Sequence, residues 1–161
     1  MGRKRNPVEP GEFEDPIHNY DPPSYADELE RVLCDTEVAQ MRIQPLACVQ
    51  KDATVQDALD VMKKHDCSSV VVQDGSKALG IFSARDVLNK IAHDPSARAK
   101  PITGYMTEHP QKVYASDCPA KAINLMAIGG FRHIPVLDID ENVVGILGPR
   151  RTTQFLEEHL I

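Results

Sequence analysis

The residues of this chain whose types and spacing suit chemistry suit binding rather than catalysis. The segment Gly80-Ile81-Phe82-Ser83-Ala84-Arg85-Asp86 leaves an apolar run, presents a hydroxyl and, three residues later, a carboxylate. An ionised carboxylate only accepts hydrogen bonds, so Asp86 can hold both protons of a diol, and the Ser83 hydroxyl can donate to a phosphate or a sugar. A strand-to-helix turn at this point would also bring a helix N-terminus near an anion. Asp86 has a second reading, as the N-cap of a helix starting at Val87. Arg132 and His133 read as a solvent-facing strand edge, and His133 also as a charge switch near neutral pH. Arg85 reads equally as a ligand contact or a solvated helix-start residue.

Catalytic arrangements are missing from the sequence. There is no nucleophile–base pattern, no H-E-x-x-H and no glycine-rich phosphate loop. His65, His93, His109 and His159 are isolated. Cys34, Cys48, Cys67 and Cys118 form no C-x-x-C pair, which points to neither a zinc site nor a disulfide framework. Scattered thiols of this kind fit a reducing cytoplasm. The expected protein is therefore not an enzyme, and no cofactor or metal is required.

A repeat must position the candidate residues. Met41-x-x-x-Pro45 falls on Met106-x-x-x-Pro110, and Gly80-Ile81 on Gly145-Ile146, both at an offset of 65. Ala58-Leu59-x-x-Met62 falls on Ala122-Ile123-x-x-Met126, and Val72-x-Asp74 on Val136-x-Asp138, both at 64. Each unit reads as strand, helix, strand, turn, strand, helix. Thr54-Val55-Gln56-Asp57 opens a helix with a capping box, and Pro119 sits at a first helical position. The apolar faces Val55, Ala58, Leu59, Met62 and Ala122, Ile123, Met126 follow. Strands are predicted over 69–72 and 78–82, then over 134–137 and 143–147, with closing helices near 86–93 and 151–160. One unit would expose an apolar sheet face, so two copies should pack together.

The ending Gly80 to Asp86 resembles a CBS domain, the cystathionine-β-synthase type repeat, and Arg132-His133-Ile134-Pro135-Val136-Leu137-Asp138 is similar to the family's R-H-x-P-V-x-D strand. The resemblance covers about residues 38–161. It implies an α/β (α+β) fold with two β-α-β-β-α repeats about a pseudo-twofold axis, commonly called a Bateman module. It implies adenosine ligands in the clefts between repeats and frequent homodimers. Carried over by position, Asp86 reads the ribose with Ser83 beside it and Ile81 in the same set. Gln111 and Lys112 border the base, Phe131 flanks it, and Arg132 and His133 reach the phosphates, with Arg85 and Arg150 adding charge. The implied ligand is AMP, ADP or ATP ahead of NAD or S-adenosylmethionine. The second unit departs from the pattern: Gly148 replaces the hydroxyl residue and Arg151 the ribose-binding Asp. An arginine cannot accept diol protons, so one nucleotide site per chain is expected. The resemblance further implies a sensor for some regulated protein; a non-binding dimerisation scaffold is the alternative.

Composition bounds the rest. The chain has 161 residues, 42% hydrophobic and only 5% aromatic, so its core must come from aliphatic side chains. It carries 18 basic and 24 acidic residues, net −6, which argues against nucleic acid as a partner. No apolar run approaches the ~20 residues of a membrane span. Residues 1–24 hold five of the twelve prolines and read as an acidic, extended arm. Phe13, Ile17 and Tyr20 could dock it. A helix over 25–37 capped by Ser24 follows, then repeat 1 over 38–95, then a linker and repeat 2 over 96–161. Lys112, Arg132, Arg150 and Arg151 are expected to converge opposite Asp86, a basic group that the total charge conceals.

Overall fold

The computed structural model describes residues 23–43 and 46–160, so the proline-rich arm up to residue 22 and the Gln44–Pro45 pair lie outside the described residues. The first half contains β1 (Cys48–Gln50), α2 (Val55–Lys64), β2 (Ser69–Asp74), β3 (Lys77–Ser83) and a short helical turn, α3 (Ala84–Asp86). The second contains β5 (Val113–Tyr114), α4 (Pro119–Gly129), β6 (Ile134–Leu137), β7 (Val143–Leu147) and α5 (Pro149–His159). Between them β4 (Thr107–Glu108) returns to the first sheet, which therefore has the order β1-β2-β3-β4, against β5-β6-β7 for the second. In each sheet the first strand pairs parallel with the second, and the second antiparallel with the third. The fold is thus mixed α+β with two copies of one unit.

Strand alternation explains how two small sheets share a core. On β2, Val70 and Val72 pack with Val55, Ala58, Met62 and Phe82 of their own unit. Val71 points the other way and joins Leu137, Val143 and Ile146 of the second unit. On β6, Ile134 and Val136 face Ala122 and Phe155, while Leu137 joins the shared cluster. The period of two along a strand sends alternate residues to opposite faces. Both faces are buried here, which is why β2 reads as an unbroken valine run. Polar contacts close one end of the interface: Val143 N–H donates to the Ser76 carbonyl at 3.0 Å, and the Ser76 hydroxyl to Asn142 Oδ1 at 2.6 Å.

The leading segments of the two repeats cross over. Val38 and Met41 pack in the second unit's core, and the N–H groups of Val38 and Ala39 donate to the carbonyls of Asp117 and Ala115. Ile102 and Met106 pack in the first unit's core, and Ile102 N–H donates to the Ala53 carbonyl. Helix α1 (Glu28–Asp35) lays Val32 and Leu33 on the second unit's cluster, within the same chain. Its N-cap is Asp27, whose carboxylate accepts from Glu30 N–H, rather than Ser24. The helix therefore starts three residues later than the Ser24 pattern suggested.

Local signals act as expected elsewhere. Thr54 and Asp57 form a reciprocal capping box. Pro119 opens α4, which ends at Gly130 in the left-handed region at φ 64, a conformation that glycine adopts without steric cost. The closing helix of the first unit differs from expectation. After α3 the chain forms a single π turn, Val87–Ile91, with Ala92 N–H donating to the Val87 carbonyl at 2.9 Å. Its final form is a bulged turn rather than a regular helix over 86–93.

Leu137 is 1% exposed at the junction of the two units. Leu137→Ala is expected to cost about 2–5 kcal/mol in chemical denaturation, because the cavity would open between two sheets that cannot close independently. A loss below about 1 kcal/mol would mean that the shared cluster does not hold the halves together.

Candidate functional site

The register of the first sheet delivers Asp86 to a cleft. Ser69 pairs with Ser83 at the end of β3, and the chain then turns sharply into α3. Ser83 is the N-cap of that turn and Asp86 its third residue, so Asp86 is not the N-cap of a helix starting at Val87. Ser83 donates to Asp86 Oδ2 twice, from its N–H at 2.9 Å and its hydroxyl at 2.8 Å. The other oxygen, Oδ1, accepts from Lys90 Nζ at 2.9 Å and from Thr107 Oγ1 at 3.3 Å. Four donors occupy the roughly four lone-pair positions of a carboxylate. Asp86 is 7% exposed. Burial pushes its carboxyl upward, yet the hydrogen bonds from Lys90 and Ser83 outweigh burial and hold it below the usual carboxylate range.

Two further residues complete the site: Lys90, whose place four residues after Asp86 on one helical stretch is a signal in the sequence, and Thr107, which only β4 brings in. Thr107 lies there because Gly80 lets β4 approach β3 closely. A Cβ on Gly80 would lie 2.9 Å from the Thr107 carbonyl and 2.5 Å from Met106 Sδ. Lys90 also donates to the carbonyls of Tyr105 at 2.7 Å and Met106 at 3.2 Å. One ammonium group thus ties Asp86 to the segment that crosses between repeats.

Opposite Asp86 stands the second unit. The cleft has a volume of about 340 Å³, within the range of small-molecule sites. Seven sequence-predicted residues line it: Ile81, Ser83, Arg85 and Asp86 from the first unit, and Phe131, Arg132 and His133 from the second. Phe131 is 40% exposed and its ring lies against Gly129, where a Cβ would come within 2.1 Å of it. The arrangement offers an acceptor, an aromatic face and the cations Arg85 and Arg132 in one space.

Three expected residues lie elsewhere. Gln111 and Lys112 line a separate hollow with Ala78, His109 and Pro110. Arg150 lines a second cleft with Arg151. The expected convergence of Lys112, Arg132, Arg150 and Arg151 opposite Asp86 is thus divided among three places, and only Arg132 meets Asp86. Arg132 also joins Arg85 in a neighbouring hollow that runs toward Thr152 and Thr153. Among the described residues no cluster of metal-ligating side chains occurs, and no helix is long and apolar enough to cross a membrane.

His133 links the units. Its Nε2 lies 2.9 Å from Ser68 Oγ of the first unit, and both residues line both clefts. Burial, with the nearby Arg132 charge, pushes the His133 imidazole below its ordinary 6.5. Folding therefore favours the neutral ring. That contribution is complete above pH 6.5 and is lost as the pH falls through the lower folded value. Thermal unfolding at pH 7 and pH 5 is expected to show a larger fall in Tm for the wild type than for His133→Gln; equal falls would exclude this titration.

Comparison with known proteins gives one consistent picture. The family model described as CBS domain matches residues 38–93 and 102–154. An uncharacterized 17.7 kDa protein of Acidianus ambivalens is 29% identical over 116 residues, 71% of this chain and 70% of that one. A meiotically up-regulated protein of Schizosaccharomyces pombe is 32% identical over 95 residues, 58% of this chain but only 13% of its own length. Among solved structures, a CBS domain protein from Pyrobaculum aerophilum complexed with AMP superposes with a TM-score of 0.67 at 18% identity, covering 76% of this chain and 99% of that one.

Proposed function

Since the chain belongs to the CBS domain family, we propose that it is a regulatory module that senses an adenosine nucleotide without catalysing a reaction. The observation that carries this reading is the cleft itself. Asp86 of one repeat faces Phe131 and Arg132 of the other across about 340 Å³. A ribose diol needs an acceptor, a base needs a flat apolar face, and a phosphate needs a cation; the cleft supplies one of each. Its walls belong to different repeats, so a ligand that touches both biases their relative position. AMP in the related Pyrobaculum aerophilum structure supports the same ligand class.

The occupied carboxylate shapes the mechanism. A diol reaching Asp86 takes over positions held by Thr107 or Lys90. The Thr107 contact is the longest at 3.3 Å and yields first. Displacing Lys90 would also loosen its hold on the Tyr105–Met106 backbone, which gives a route from ligand to the crossing segment. The same saturation favours a second reading. An Asp86 fully engaged by its own chain suits a scaffold that pairs proteins and binds no nucleotide.

Calorimetry with AMP, ADP, ATP, NAD and S-adenosylmethionine separates the two. Sensing predicts one nucleotide per chain. Arg132→Gln should weaken a phosphate-bearing ligand about ten- to a hundredfold, the value of a lost charge-assisted hydrogen bond. Phe131→Ala should weaken all of the ligands. These exposed positions make cleaner tests than Asp86→Ala, which would also strand Lys90 and undo the α3 turn. Heat with none of the five ligands would leave the scaffold reading.

The module acts as a homodimer in the cytoplasm, in contact with a regulated protein and with neither membrane nor nucleic acid. Ile128 near the end of α4 is 83% exposed, and Leu59, Val61 and Ile123 on the helical flanks are only partly covered, which supports pairing with a second copy. Sedimentation at micromolar concentration should give twice the chain mass; a monomer would overturn the dimer.

A further inference from the structure

The second cleft is the first with its charges exchanged. The repeat offset of 65 carries Ser83 onto Gly148, Asp86 onto Arg151 and Ser68 onto His133. Gly148, Arg151, Ser68 and His133 line a cleft of about 360 Å³ together with Arg150 and Asp66. Where the first cleft presents an acceptor, this one presents donors. Arg151 is half-buried and donates from Nη1 to Gln154 Oε1 at 3.1 Å. Its Nε is buried and, among the described residues, is the side-chain polar atom in that state without a hydrogen-bond partner. Because that atom is shielded from solvent, an anion in the cleft meets Arg151 through its Nη groups rather than through Nε. Gly148 at the start of α5 supplies no side-chain acceptor, and Pro149 follows at the first helical position.

We propose that this cleft binds a small oxyanion, a carboxylate or phosphate group, through Arg151 and Arg150, and that it excludes nucleosides. A guanidinium fork matches the paired oxygens of either group, and its hydrogen bonds to them are charge-assisted. The guanidinium itself accepts nothing, so a ribose diol finds at position 151 no counterpart of the Asp86 carboxylate. Because Ser68 and His133 form a wall of both clefts, the oxyanion sits beside the nucleotide cleft without sharing Phe131 or Asp86.

The Arg151 Nε–H resonance of the full chain reads the site directly, identified by its loss in Arg151→Gln. Titration with inorganic phosphate and, separately, with acetate at constant ionic strength is expected to move it saturably. Sodium chloride should not. Saturation with phosphate alone assigns a phosphate ligand and with acetate alone a carboxylate ligand. Arg150→Gln, at an exposed position that should not disturb folding, is expected to raise Kd about tenfold. Phe131→Ala, confined to the first cleft, should leave Kd unchanged. The proposal fails if neither anion gives a saturable shift, if chloride reproduces it, or if adenosine moves the Arg151 signal in the Phe131→Ala protein.

Discussion

Everything in this molecule depends on one apolar contact, the cluster in which Val71 of the first sheet meets Leu137, Val143 and Ile146 of the second. Neither sheet is large enough to stand alone, since the second has only three strands, two of them longer than two residues. Burial of the inner faces supplies the stability that each unit lacks. It also sets where the two ends of the interface fall. At one end Ser76 and Asn142 meet, and at the other Ser68 and His133 meet. Both clefts open at that second end, on either side of the Ser68–His133 contact. The two clefts are thus by-products of how the two sheets pack.

The crossing of the leading segments strengthens this dependence. Residues 38–41 complete the second core and residues 102–106 the first. Each unit borrows a piece that precedes the other in the chain, so neither is closed without its neighbour. The crossing segment also brings Thr107 and the carbonyls of Tyr105 and Met106 to Lys90 and Asp86. Three hydrogen bonds thereby tie Asp86 and Lys90 to the segment that joins the repeats.

The pseudo-twofold axis gives two equivalent places, and side-chain identity makes them chemically opposite. Asp86 collects four donors and is satisfied. Arg151, its counterpart, keeps a buried nitrogen with no acceptor. The backbone frame is shared, and the chemical difference lies in two positions, 83 and 86 against 148 and 151. That separation lets one cleft change its chemistry while the sheet-to-sheet core stays the same.

The repeat, the capping box at Thr54 and Asp57, the proline start of α4 and the alternation along β2 and β6 are local, and the sequence by itself determined them. Of the seven expected residues that line the cleft, Ser83 and Asp86 were legible from the strand–turn pattern, and Phe131, Arg132 and His133 only from the family resemblance. Tertiary structure alone decided the rest. Thr107 reaches Asp86 only because β4 returns to β3 beside Gly80, and no spacing announces that return, whereas Lys90 lies four residues after Asp86 on the same helical stretch. Arg150 and Arg151 follow β7 into the second cleft, whereas Gln111 and Lys112 line a separate hollow beside Ala78. Charge near in sequence to a motif is not charge near in space, because the packing of two sheets, and not the order of residues, fixes which side chains face each other.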